Sequence, residues 1–204
     1  MTKSARKLNA AALIGLLAAA ALLSGCTQSE PTASPTPSAT SSEAASGTPP
    51  TAEQTAWAGD VCSSTATLKT DVQGLVSTAA AGGADVSARL NTQMQTIKES
   101  AAALADSIKA VPRGSEDDPQ VSAVRESSDD LSSSISDLES SVASVDGATG
   151  TALVAALGTV ASDAGASLTA LATTVTAIGT AAADGTSAIG QAFDAAPECT
   201  SLAR

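Results

Sequence analysis

The chain has 204 residues, ten Lys/Arg against 21 Asp/Glu, no His, no Tyr, and two aromatic side chains, Trp57 and Phe193. A formal net charge of −11 opposes nucleic-acid binding, which depends on cations neutralising phosphates. The missing histidine removes the usual base of nucleophilic triads and a common zinc ligand.

The first 25 residues read as an export segment. Lys3, Arg6 and Lys7 precede an apolar run from Leu8 to Leu23 that is broken only by Asn9 and Gly15, and the small pair Ser24-Gly25 leads to Cys26. The run is shorter than the roughly 20 residues of a permanent membrane helix. The stretch Leu23-Ser24-Gly25-Cys26 resembles the lipobox of bacterial lipoproteins. That resemblance implies cleavage between Gly25 and Cys26, a diacylglyceryl group on the Cys26 thiol, and a chain held by palmitate-like acyl groups on the extracytoplasmic side of the cell membrane. Each buried CH₂ contributes about 0.8 kcal/mol, so two or three acyl chains on one residue anchor far more firmly than one.

Residues 26–50 form the next unit. Removing the export segment leaves seven cations against 21 carboxylates, a net charge of −14. From Thr27 to Pro50 the chain is mostly Ser, Thr, Pro and Ala, with only Glu30 and Glu43 charged, and has almost nothing to bury. Such a segment stays disordered and spans roughly 25 to 30 Å. A Ser/Thr/Pro/Ala tether before a small acidic domain is similar to small helical lipoproteins of high-GC Gram-positive bacteria.

Beyond Pro50 the apolar periodicity is helical, without the sustained alternation of strands. A first segment, about 51 to 80, carries Trp57, Val61, Leu68, Val72, Leu75 and Val76 and stops at Gly82-Gly83. A second is expected to start at Asp85 as N-cap, and it steps through Val86, Leu90, Met94, Ile97, Leu104, Ile108 and Val111, with Ala101 filling the gap before Pro112 and Gly114. The third opens at Asp117-Asp118-Pro119, where carboxylates meet free N–H groups and Pro suits the first position. Its stripe of Val121, Val124, Leu131, Ile135, Leu138, Val142 and Val145 is interrupted at Ser128 and closed by Gly147. A fourth, about 151 to 183, has Leu153, Leu157, Val160, Leu168, Leu171, Val175 and Ile178 with a single charge, Asp163. A short extension runs through Ile189 and Phe193.

These segments are each about 40 to 50 Å long and joined by short loops. Residues 51–204 are therefore expected to form an all-α domain, an antiparallel up-down-up-down four-helix bundle behind the disordered tether. In that topology the start of the first helix and the end of the fourth share a pole. Cys62 and Cys199, the thiols that remain once Cys26 is lipidated, fall at that pole with Trp57 and Phe193 nearby, so an exported chain is expected to join them as a disulfide.

The residues point away from catalysis. Lys69, Lys98 and Lys109 read as solvent-facing, and the carboxylates Glu116, Asp117, Asp118, Glu126, Asp129, Asp130, Asp137 and Glu139 read as caps and a solvated face rather than a calcium site. No catalytic, cofactor or metal residue is assigned. The leading expectation is a non-enzymatic, membrane-anchored module that binds an envelope protein or glycan or supports envelope structure. The alternatives are membrane action through the Ala-rich fourth helix, or a small-ligand carrier or sensor. The low charge of the fourth helix is also what a buried central helix would show.

Overall fold

The computed structural model describes residues 47–202, which lie in one compact unit. The export segment, Gly25, Cys26 and most of the tether lie outside the described residues. The described residues contain six helices: α1 (Ala52–Ala81), α2 (Val86–Lys109), α3 (Pro119–Ala143), α4 (Gly150–Ala183), α5 (Ala188–Ala195) and α6 (Pro197–Leu202).

Local chemistry sets the helix ends. The Thr51 hydroxyl accepts from the Gln54 amide N–H at 3.1 Å while the Gln54 side chain accepts from the Thr51 N–H at 2.8 Å, a reciprocal cap that starts α1. Gly82 and Gly83, at φ 56° and 99°, take backbone angles that other residues resist, and the chain turns there. At α3 the extended Asp118 accepts from the Gln120 N–H at 2.8 Å, and Pro119 fills the first position as expected. Asp85 does not cap α2. Its backbone, at φ −101° and ψ 18°, lacks the extended angles of a capping residue, and its side chain makes no capping bond.

The domain is an all-α packed bundle. α1 lies against α2 and α4, and α3 against α4 and α2, with the α1–α2 and α3–α4 seams the most extensive. Trp57 Nε1, near the start of α1, donates to the Ser107 carbonyl near the end of α2 at 2.8 Å. Gln120, at the start of α3, donates to Asp184 just past the end of α4 at 3.2 Å. Every large aliphatic of the α3 stripe is buried, as are Val61, Leu68, Val72, Leu75, Leu90, Ile97 and Leu104.

Two features depart from the four-helix expectation. The C-terminal extension is a pair of separate helices: the chain turns at Asp184-Gly185, and Pro197 opens α6. Gly190 lets α5 cross tightly over the end of α4, since a Cβ there would lie 2.0 Å from the Asp184 carbonyl oxygen. The buried stripe of α4 also differs from its aliphatic stripe. Val160, Leu171 and Ile178 are buried, but the remaining inward positions are Ala164, Ser167, Thr174 and Ala181, while Leu153, Leu157, Leu168 and Val175 lie at the flanks.

Candidate functional site

Cys62 and Cys199 are joined, with Cα atoms 5.0 Å apart across a sequence separation of 137. The bond ties α1 to α6 rather than to α4, because the chain reaches Cys199 only after turning through α5. Both cysteines are buried, and Trp57 and Phe193 pack beside them with ring centroids 5.3 Å apart. Gly59 lies beside the Glu198 side chain of α6, whose carboxylate would be 2.8 Å from a Cβ there. The last described part of the tether docks at the same end: a Cβ on Gly47 would lie 2.5 Å from the Thr186 carbonyl oxygen. The expected joining of stapled cysteines and aromatics at one pole is thus present, and the tether meets the bundle there.

The α1–α2 and α3–α4 turns are held together by Asp146, which accepts from the Ser87 hydroxyl and from the Asn91 amide at 3.2 Å. The turn glycines at 82, 83, 147 and 150 are explained by their positive φ angles.

The charged residues are dispersed. The Lys98 ammonium pairs with Glu139 at 2.6 Å across the α2–α3 seam, both side chains being nearly half exposed. Asp118 caps α3. Glu116 accepts from the Gly114 N–H at 2.6 Å, and backbone N–H bonds, its own first, hold its carboxyl below the usual glutamate value. The Thr186 hydroxyl and N–H, with help from Gln120, likewise lower the Asp184 carboxyl. Among the described residues no group of three His, Cys, Asp or Glu side chains is arranged to hold a metal ion. Among the described residues no lysine lies at hydrogen-bonding distance from a serine.

The described residues leave several open hollows between the helices, among them one of about 500 Å³ beside Ile178, Phe193 and Cys199. One of about 280 Å³ lies between α2 and α3, where Ala101 and Ser128, the two interruptions of the aliphatic stripes, face the same space. Its floor of Leu68, Leu104, Leu131 and Ile135 is already buried by the bundle itself. A ligand there would remove little further apolar surface from water, and its affinity would be correspondingly small.

Sequence reading missed the polar seam between α3 and α4. Ser127, Ser141, Ser167 and Thr174 are buried; Ser167 donates to the Ser134 carbonyl at 3.2 Å and Thr174 to the Ser127 carbonyl at 3.3 Å. Ser141 donates to Asp163, which accounts for the single charge of α4. The available signal was the seven-residue spacing of Ser127, Ser134 and Ser141 opposite Val160, Ser167, Thr174 and Ala181.

The outward side of α4 is exposed and carries no charge. This helix is long and apolar enough to cross a membrane by length and composition, yet only 28% of its most apolar window is buried. Burial at the centre of a bundle therefore does not explain its lack of charge. Val154 is 71% exposed, and a Cβ added at Gly158, Gly165 or Gly179 would meet nothing within 4 Å. Comparison of the chain with protein-family models, characterised proteins and solved structures finds no match.

Proposed function

We propose that this chain is an extracytoplasmic lipoprotein whose residues 1–25 direct export and whose Cys26 carries the lipid. Residues 26–50 are the tether, and 51–204 form a bundle whose four long helices run up-down-up-down. The observation that carries the reading is the basic start, apolar run and Leu23-Ser24-Gly25-Cys26 ending. The Cys62–Cys199 disulfide supports it independently, since such bonds persist outside the reducing cytoplasm. The topology is supported by hydrogen bonds that bring the start of α1 to the end of α2 and the start of α3 to the end of α4.

The domain acts without catalysis, as a binding or structural module of the envelope. Supporting this are its dispersed, solvated carboxylates and the chain's lack of histidine. The exposure of α4 favours that helix as the contact surface and keeps membrane contact as the second reading. Fractionation tests the anchor: the wild-type chain is expected in the membrane with an acylated N-terminal peptide by mass spectrometry, and Cys26→Ser in the soluble fraction. A Cys26→Ser chain that stays in the membrane would sink the anchor. Dye release from liposomes by the unlipidated chain would favour the membrane reading, and retention of an envelope protein or glycan the binding one.

A further inference from the structure

We infer that the hollow between α4, α5 and α6 binds a small organic ammonium ion, an amine or quaternary ammonium carried on a short apolar body. The hollow measures about 500 Å³, within the roughly 300 to 1,000 Å³ of small-molecule sites. It opens where Gly179, Ala182 and Ala183 of α4 face α5 and α6 with little or no side chain. Its walls are apolar, built from Val175, Ile178, Phe193 and Leu202.

The same hollow collects negative charge. The last turns of α4, α5 and α6 all reach it, through Ala182 and Ala183, Phe193 and Asp194, and Cys199 and Thr200. A helix carries partial negative charge at its C-terminal turn, where a nearby cation is stabilised. None of the three last turns holds a basic residue. α5 instead sets Asp194 into the wall, an exposed carboxylate that joins no ion pair among the described residues. Three helix ends and a carboxylate therefore converge on one apolar space.

Field and lining together select the occupant. A fatty acid or other anionic amphiphile is repelled by Asp194 and the helix ends. A metal ion needs several oxygen ligands, and among the described residues no group of three His, Cys, Asp or Glu side chains is arranged to hold one. An organic ammonium meets both demands, with its charge beside Asp194 and the exposed Thr200 and its apolar body against Val175 and Leu202. Ile178, Phe193 and Leu202 are already buried by the domain, so added burial gives modest affinity and the charge supplies the discrimination.

Calorimetric titration of the solubilised full chain tests this, with hexylammonium, hexanoate and hexanol as probes. Trp57, the only tryptophan, packs on Phe193 at the wall of the hollow and reports the same binding by fluorescence. Hexylammonium is expected to bind, with hexanol and hexanoate at least roughly tenfold weaker; equal binding of all three, or none of hexylammonium, would overturn the proposal. Asp194→Asn is expected to weaken hexylammonium roughly three- to fivefold, the scale of an exposed ion pair. A Cβ at Gly179 would meet nothing within 4 Å, so the side chain of Gly179→Leu enters the hollow without displacing the chain and is expected to abolish binding while circular dichroism stays unchanged. Undiminished binding by either variant counts against the site. Arg204 lies two residues past α6, outside the described residues; binding seen only in Arg204→Ala would make that side chain the occupant and equally overturn the proposal. The anchor is tested apart, by fractionation of Cys26→Ser, and its failure leaves this site untouched.

Discussion

Asp184 and Glu116 carry acid sensitivity into a domain with few ion pairs. Both carboxyls sit below their usual values of 3.8 and 4.5 because hydrogen bonds favour the charged form. A depressed folded-state pKa stabilises the fold above the unfolded value and loses that contribution as pH falls through the folded one. Urea midpoints are therefore expected to be level at neutral pH and to fall below about pH 4.5, with a smaller fall in an Asp184→Asn, Glu116→Gln chain; an identical slope would exclude these two groups as the source. Gly190 acts through space rather than charge. Its missing Cβ admits the Asp184 and Ala181 carbonyls, so Gly190→Ala is expected to cost about 1 to 3 kcal/mol in equilibrium unfolding, the range of core overpacking.

At the scale of the element, the α3–α4 seam shows how a helix pair can be joined with few large side chains. Small residues at seven-residue steps bring the backbones near, and their hydroxyls bond the facing carbonyls, so burial leaves no polar atom without a partner. Ser167→Leu would force a larger group into that seam and is expected to destabilise by about 1 to 3 kcal/mol. The outward side of the same helix behaves oppositely. A Cβ at Gly179 would meet nothing within 4 Å, so Gly179→Ala is expected to add about 0.5 to 1 kcal/mol by removing backbone entropy from the unfolded state. Unfolding curves of both variants in detergent compare the two sides of α4 directly.

At the scale of the molecule, the disulfide closes the bundle by tying the third turn of α1 to the short helix α6. A chain-entropy estimate for so wide a loop is about 5 kcal/mol, and measured disulfides more often contribute 2 to 4. The double variant Cys62→Ser, Cys199→Ser is expected to melt roughly 5 to 15 °C lower by calorimetry, and an unchanged melting temperature would refute the staple.

The extents of the four long helices were legible in the residues themselves, because glycine turns and the Asp118-Pro119 start are local signals that act within a few bonds. The pairing of Cys62 with Cys199 was legible as well, since reading Cys26 as a lipid site left two thiols to pair. The break of the C-terminal extension into α5 and α6, the polar α3–α4 seam and the outward turn of α4 were decided by tertiary structure alone. In a chain so rich in Ala, Ser, Thr and Gly, several sides of a helix have nearly equal affinity for the core. Which one is buried depends on how closely a neighbouring backbone approaches, a quantity that periodicity along one segment does not contain.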